Sequence, residues 1–193
     1  MSQLCVVFGG SRGIGRAVAA LLAEKGQRVV VVSRNLDAAR AAAASLPGAD
    51  HVGLNCDVSS ELDVQRTFEQ ILRECGNVDY LVNASGINRD ALLARTRPED
   101  MVSILHTNLL GTMLTCRASL RSMIQNRGGA IVNIGLIRTD MTAALDEDVL
   151  KGAVPLGRFG EPREVAHAVH FLLETPYVTG QVLLVDGGLR LAS

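Results

Sequence analysis

Short runs of β-branched and apolar residues alternate with longer helical patterns along this chain of 193 residues. Such alternation is typical of a parallel sheet whose strands are joined by helices packed on both faces. Several of the runs are apolar at every position, as strands buried between two helical layers must be. The sequence therefore predicts an α/β fold, a doubly wound parallel sheet in a single domain spanning residues 1–193.

The pattern predicts six strands and five helices. The strands are expected at residues 4–8, 28–33, 51–56, 78–83, 130–134 and 181–185. The helices are expected at residues 13–25, 36–45, 60–75, 98–126 and 161–174, with Asn35 and Ser60 as N-caps, Gly26 after the first helix and Pro162 in the first turn of the last.

The alternation is interrupted after the predicted strand 130–134. A crossover needs about a dozen residues or more, yet the chain runs from that strand directly into Gly135 without a helical pattern, and the next helix is expected only at residue 161. The polar segment 142–160, which contains Pro and Gly, predicts a lid or binding loop. Something is therefore missing between the fifth strand and the last helix.

Composition excludes several function classes. With 19 basic and 20 acidic residues the formal net charge is −1, which offers no electrostatic footprint for nucleic acid or an anionic membrane. No run approaches the ~20 apolar residues of a membrane span, and the first residues have the pattern of neither a signal nor a transit peptide, so the mature protein is expected to start near Met1. The four cysteines form no C-x-x-C pair, which favours reduced, packed thiols.

A glycine-rich turn lies between the first strand and the first helix. Gly9 permits the tight turn, Gly13 lets the backbone approach an anion, and Gly15 allows close packing of helix on strand. The free N–H groups and the dipole at the helix N-terminus favour a pyrophosphate there. The sequence therefore predicts a Rossmann-type dinucleotide site.

The end of the second strand indicates which dinucleotide binds. An acidic residue there would accept from the ribose 2′-OH of NAD, but this chain has Arg34 and Asn35. Arg12, in the glycine turn, supplies a second guanidinium suited to a phosphate. NADPH is the predicted cofactor. The alternative is that Arg34 is a solvated arginine beside an N-cap.

Two further strands end in residues that suit a nucleotide. Asp57 follows the third strand and places an acceptor where an adenine amino group would lie, although it could equally be a loop acid. The fourth strand ends in Asn83, followed by the small-residue turn 84–86, which could lie flat against the cofactor or simply end the strand.

Taken in order, these motifs resemble the short-chain dehydrogenase/reductase family over nearly the whole chain. The motifs are GGSRGIG (9–15), CDV (56–58), NASG (83–86), HTNLLG (106–111), IVNI (131–134), TDM (139–141), PLGRFGEP (155–162) and VDGG (185–188). The fit is best to the 3-oxoacyl-[acyl-carrier-protein] reductase branch. The cofactor-binding residues that the turns and the resemblance together imply are Gly9, Ser11, Arg12, Gly13, Ile14, Gly15, Arg34, Asn35, Asp57, Val58, Asn83, Ala84, Ser85, Gly86, Ile137 and Thr139.

The resemblance implies an NADPH-dependent carbonyl reductase that acts on 3-oxoacyl thioesters of acyl-carrier protein in fatty-acid synthesis, with quinones as side substrates. It also implies a homo- or hetero-tetramer with a related reductase, and a location in the mitochondrial matrix, with the cytoplasm as the alternative. Neither a nucleic acid nor a membrane is expected as a partner. No metal site is predicted, because His167 and His170 have no third ligand nearby in sequence.

The chain departs from the family at the catalytic centre. In the family a Tyr donates a proton, a Lys four residues later lowers the pKa of that Tyr, a Ser orients the carbonyl and an Asn completes a water relay. This chain contains no Tyr-x-x-x-Lys, Leu136 stands where the Ser would be, and only Asn108 can be assigned as catalytic. Relative to the family, one crossover helix and one strand are missing after Ile134, at a seam near Gly135.

Two interpretations follow. In the first, the functional polypeptide is a reductase that contains a segment absent from these 193 residues. In the second, it is a catalytically inactive NADPH-binding or regulatory subunit that acts through a partner. Little or no turnover is expected from the 193 residues alone.

Overall fold

A computed structural model of the chain describes residues 2–89, 92–134, 154–156, 158 and 160–188. Its centre is a five-stranded parallel sheet, as the alternating pattern predicts. The strands are β1 (Leu4–Phe8), β2 (Arg28–Ser33), β3 (Val52–Asn55), β4 (Tyr80–Asn83) and β5 (Ala130–Asn133). They lie in the order β3-β2-β1-β4-β5, and each neighbouring pair is parallel. From β1 the chain adds β2 and β3 on one side of the sheet and then β4 and β5 on the other side. The order of the strands thus switches between β1 and β4, and open sheets of this class bind ligands at such a switch point.

Helices cover both faces of this sheet. They are α1 (Gly13–Glu24), α2 (Leu36–Ala44), α3 (Glu61–Glu74), α4 (Pro98–Ile104), α5 (Gly111–Gln125) and α6 (Pro162–Glu174), with a short 3₁₀ turn at Leu93–Arg95. The predicted bounds of the first three helices and of the last lie within a residue or two of these.

Two hydrophobic layers hold the helices on the sheet. On one face α1, α2 and α6 pack on alternate strand residues such as Val7 and Val31. On the other face α3 and α5 pack on Phe8 and its neighbours, and the Phe8 and Phe68 rings stack with centroids 5.8 Å apart. The three inner strands β2, β1 and β4 thus bury both of their faces, which explains their continuous apolar runs, whereas β3 and β5 at the sheet edges are only partly buried.

Local sequence sets where three helices begin. Asn35 Oδ1 accepts from the Ala38 N–H at 3.0 Å at the start of α2, and Ser60 Oγ accepts from the Asp63 N–H at 3.3 Å at the start of α3. At α6, Glu161 and Glu164 form a capping box.

The helix α2 lies directly on β3, because position 53 carries no side chain. A Cβ atom on Gly53 would lie 2.4 Å from the Arg40 backbone nitrogen. The glycine therefore permits a helix-to-strand approach that any larger residue would prevent.

The predicted helix at residues 98–126 is not one regular α-helix. A π-helical segment, Leu105–Leu110, separates α4 from α5. Such segments insert one residue into the helical hydrogen-bond pattern and often occur at functional sites. Hydrophobic periodicity alone does not reveal them. No helix among the described residues is long and apolar enough to cross a membrane.

The prediction of a sixth strand at residues 181–185 is wrong. The segment lies outside regular secondary structure in the described part of the chain, and Val182 is 86% exposed. A buried parallel strand needs a neighbour with which to exchange hydrogen bonds. Within the described ranges β5 pairs only with β4, so the strand expected between β5 and this segment does not occur there.

Candidate functional site

A cleft of about 550 Å³ opens at the carboxyl ends of the strands. Its walls come from the turns after β1, β2, β3 and β4, from the π segment and α5, and from the residue after β5. The lining residues are Gly9, Ser11, Arg12, Gly13, Ile14, Gly15, Ser33, Arg34, Asn35, Ala38, Cys56, Val58, Ala84, Ser85, Gly86, Ile87, Thr107, Asn108, Thr112 and Ile134.

The glycine turn is fixed by its neighbours on both sides. The Gly9 N–H donates to the Val32 carbonyl at 2.8 Å, and the Ala84 N–H donates to the Phe8 carbonyl at 2.9 Å. Gly9 has φ of +75°, and a Cβ atom there would lie 2.6 Å from the Ala84 backbone. Only glycine satisfies both the backbone conformation and the available space.

The N-terminus of α1 opens onto this cleft without a cap. Arg12 is the N-cap residue, but its guanidinium has only donors and makes no capping hydrogen bond, and the first turn of α1 carries no acidic residue. By contrast, α2 and α3 are both capped by side chains. The backbone N–H groups at the start of α1 thus face the cleft together with the positive end of the helix dipole, an arrangement that fits a pyrophosphate.

Two guanidinium groups stand at the mouth of the cleft. Arg12 and Arg34 both line it and are both exposed. In the described part of the chain neither has a carboxylate within salt-bridge distance. Asn35 also lines the cleft, but its side-chain oxygen is already used to cap α2. The positive charge beside the second strand fits an additional phosphate better than a ribose hydroxyl.

Asp57 and Asn83 do not line the cleft. The Asp57 Oδ1 atom accepts from the Ser59 N–H at 3.0 Å and from Ser59 Oγ at 2.7 Å, so it shapes its own turn. Asn83 is 5% exposed and lies behind the turn 84–86. Both residues support neighbours that do line the cleft, Val58 and Ala84.

Asn108 lies in the π segment and lines the cleft. Its Oδ1 accepts from the Ile87 N–H and its Nδ2 donates to the Ile87 carbonyl, both at 2.9 Å. The Asn108 amide therefore makes the two hydrogen bonds with the Ile87 backbone that a neighbouring β-strand would make, and it fixes the loop after β4. Its predicted part in a water relay stays a prediction.

Most residues predicted from sequence meet in this one cleft. Those that line it are Gly9, Ser11, Arg12, Gly13, Ile14, Gly15, Arg34, Asn35, Val58, Ala84, Ser85, Gly86 and Asn108. Ile137 and Thr139 lie outside the described residues. The sequence reasoning missed Ser33, Ala38, Cys56, Ile87, Thr107, Thr112 and Ile134. A signal existed for Thr112, which follows Asn108 by one helical turn, and for Ile134, which ends a strand at the carboxyl edge.

Neither tyrosine is placed to act as an acid in the cleft. Tyr80 begins β4 and therefore lies at the amino ends of the strands, away from the cleft. There its hydroxyl accepts from Gln3 Nε2 at 2.7 Å and lies 3.4 Å from Glu174 Oε1. Burial and the nearby Glu174 raise the Tyr80 pKa, whereas a catalytic phenol needs a lowered one. Tyr177 is 98% exposed.

The four cysteines are free thiols, as predicted. Burial raises the pKa of Cys56, which lines the cleft, to about 11, and it raises the pKa of the other three as well. All four are protonated at neutral pH and suit packing better than nucleophilic chemistry. No group of three metal-ligating side chains occurs among the described residues.

A parallel sheet in the order 3-2-1-4-5, with an uncapped glycine turn at its switch point, defines a Rossmann-type dinucleotide-binding protein. The chain belongs to the short chain dehydrogenase family, whose sequence profile matches residues 3–146. A second profile, described as enoyl-(acyl carrier protein) reductase, matches residues 132–190.

Several individual proteins are similar to this chain over almost its full length. The chain is 52% identical to carbonyl reductase family member 4 of Danio rerio and 51% identical to a human 3-oxoacyl-[acyl-carrier-protein] reductase, with 99% of each chain covered. A 3-oxoacyl-[acyl-carrier-protein] reductase of Aquifex aeolicus is 34% identical over 97% of each chain. A crystal structure of a gluconate 5-dehydrogenase from Burkholderia cenocepacia, in complex with NADP and tartrate, superposes with a TM-score of 0.91 at 27% identity, covering 100% of this chain and 97% of that one.

These alignments also measure what the chain lacks. The alignment with the Danio rerio relative runs over 236 residues, but this chain has only 193, so at least 43 residues of the relative face a gap. Because both chains are covered almost from end to end, the gap is internal. An internal gap agrees with the predicted deletion, and its position near Gly135 stays a prediction.

Proposed function

We propose that this chain is an NADPH-binding member of the 3-oxoacyl-[acyl-carrier-protein] reductase branch, whose function is the NADPH-dependent reduction of carbonyl groups, chiefly in 3-oxoacyl thioesters. The observation that carries the proposal is the uncapped N-terminus of α1, which opens with Arg12 and Arg34 onto one cleft. The relatives named as reductases of this kind support the substrate class.

Different described residues would bind different parts of the cofactor. The first turn of α1 would hold the pyrophosphate through backbone N–H groups, and Arg12 and Arg34 would hold the 2′-phosphate. Val58 and the turn 84–86 line the same cleft, where they would contact the adenosine and its ribose. When bound, NADPH supplies the hydride for the carbonyl carbon.

The residues that would move the proton are not in this sequence. A carbonyl that accepts a hydride develops negative charge on its oxygen and needs an acid of suitable pKa within hydrogen-bond reach. The only tyrosines are Tyr80 and Tyr177, and the lysines Lys25 and Lys151 do not follow either of them at the family's spacing. We therefore expect the 193-residue chain to bind NADPH and to turn over little or no substrate by itself.

The missing proton donor favours a second candidate function, that of a non-catalytic subunit which binds NADPH and acts through a related complete reductase. We propose assembly into a homo- or hetero-tetramer with a related reductase, on the basis of the family resemblance. The proposed location is the mitochondrial matrix, with the cytoplasm as the alternative; it rests on the family resemblance alone.

One pair of measurements separates the two candidates. NADPH binding is followed by the change in cofactor fluorescence, and NADPH oxidation with an acetoacetyl thioester is followed by absorbance, for the chain alone and mixed with a complete relative. Binding without oxidation supports the subunit, and a changed rate for the mixture identifies the partner. Steady oxidation by the pure chain would show that it is a reductase in its own right. Absence of NADPH binding would overturn both candidates.

A further inference from the structure

We infer that the open edge of β5 is a docking site for residues 181–185 of a second copy of this chain. The inference joins two features of the described part of the chain, a strand with no outer neighbour there and an apolar segment with no sheet partner there. It does not depend on cofactor binding.

The first feature is the outer edge of β5. The Ala130 N–H donates to the Asp79 carbonyl at 3.0 Å and the Ile134 N–H donates to the Asn83 carbonyl at 2.9 Å. Backbone groups of a parallel strand face alternate sides, so the N–H groups of Ile131 and Asn133 point away from β4. Within the described ranges no strand pairs on that side, and Asn133 is exposed.

The second feature is the segment 181–185, with the sequence QVLLV. Its four apolar residues are exposed by 86, 46, 50 and 39% for Val182, Leu183, Leu184 and Val185. A run that is apolar at every position is the pattern of a strand covered on both faces. Here neither face is fully covered, which leaves a sizeable part of the apolar surface in water.

Nothing in the sequence of either feature opposes pairing. Natural proteins protect edge strands with charged residues, proline or bulges. Residues 130–133 (AIVN) and 181–185 contain no charged residue and no proline. Short apolar segments of high β propensity and low charge are those that add to open sheet edges.

A second copy fits the edge because every copy carries both the segment 181–185, which can donate a strand, and an open β5 edge, which can accept one. Among the described residues the segment stays exposed and no strand pairs with the outer edge of β5, so that part of the chain satisfies neither feature. Two copies that exchange segments satisfy both edges at once, which gives a closed, two-fold symmetric pair.

The test compares association of the native chain with that of two variants by sedimentation velocity over a wide range of concentration. In Val182→Lys/Leu184→Lys, two exposed side chains of the segment become charged. In the control Tyr177→Lys, a residue that is 98% exposed and lies outside the segment is changed in the same way. Circular dichroism verifies that all three chains are folded.

We expect the dissociation constant of the double variant to rise about tenfold or more, while the control associates like the native chain. Association through another surface, such as the exposed side chains of α5, would not respond to these substitutions and is therefore distinguished by the comparison.

Amide hydrogen exchange reads the acceptor edge directly. If the proposal holds, exchange at Ile131 and Asn133 slows as the concentration rises, in the native chain and in the control but not in the double variant. Protection that is independent of concentration would mean that the chain pairs with its own segment. That result, equal association of all three chains, or a monomer at every concentration would each overturn the inference.

Discussion

The side-chain amide of Asn83 donates a hydrogen bond to Asn133 Oδ1 at 2.9 Å and so joins the last residues of β4 and β5. The same amide accepts from Thr115 Oγ1 at 2.9 Å. Helix α5 and the two strands are thus joined by one buried side chain, directly behind the turn 84–86.

This relationship predicts the behaviour of Asn83→Asp. The substitution replaces a donor by a carboxylate oxygen that faces Asn133 Oδ1 inside the protein. We expect the free energy of unfolding to fall by about 1–3 kcal/mol at neutral pH, the cost of a buried polar group without a partner. The loss should shrink on acidification, because a protonated carboxyl again donates.

Urea denaturation at two pH values measures this effect. Asn55→Asp, at the exposed end of β3, makes the same chemical change without burial and is expected to leave the stability nearly unchanged. An equal loss in both variants would show that the Asn83 contacts contribute nothing specific.

Gly9→Ala tests the turn between β1 and α1. Alanine at φ +75° costs about 1–2 kcal/mol, the penalty of the left-handed conformation. Its Cβ would additionally lie 2.6 Å from the Ala84 backbone, so the turn must shift. The matched control is Gly26→Ala, at φ +81° with open space around the position. Urea denaturation should show a larger loss for Gly9→Ala, with weaker NADPH binding in that variant only.

Arg34→Glu tests cofactor choice. The substitution replaces an exposed guanidinium beside the cleft by a carboxylate that repels a 2′-phosphate and can accept from a ribose hydroxyl. We expect the affinity for NADPH to fall about tenfold or more, and that for NADH to hold or rise. Fluorescence titration with both cofactors provides the measurement. Arg40→Glu makes the same charge change on α2 away from the cleft and should alter neither affinity; equal effects of both variants would remove Arg34 from the site.

The bidentate contact of Arg158 with Glu164, at 2.7 and 2.8 Å, lowers the pKa of that carboxyl to about 2. Because the folded-state pKa lies below the unfolded one of 4.5, the contact stabilises the fold above that pH and its contribution is lost as pH falls towards 2. In Arg158→Gln, NMR titration should show the Glu164 pKa rising towards its ordinary value. Arg163→Gln preserves the contact and should leave the pKa near 2; a low Glu164 pKa in Arg158→Gln would contradict the assignment to Arg158.

The sheet up to β5 could be predicted because its information is local. Continuous apolar runs, N-caps such as Asn35 and Ser60, and the glycine turn each reflect nearby backbone geometry. Residues 181–185 show the limit of that reasoning. Their composition suits a strand, but a strand exists only with a partner, and sequence pattern does not show whether one is available.

The candidate site likewise contains residues that local sequence predicts and residues that only long-range contacts bring into the cleft. The turn residues follow from position at the carboxyl edge, whereas Thr107 and Ile87 enter the cleft through the π segment and through the pairing of Asn108 with a loop. These are long-range contacts between residues about twenty positions apart. No periodicity encodes them.

Every described residue that lines the cleft belongs to one continuous stretch of chain, from Gly9 to Ile134. During synthesis all of these walls therefore leave the ribosome before α6 does, although α6 covers α1 and the layer that carries Val7 and Val31. The nascent chain passes through a stage at which the cleft is fully translated and one face of its sheet is covered by α1 and α2 but still lacks α6. Cofactor present at that stage would favour the folded nascent chain, because a ligand that binds only the folded form stabilises it.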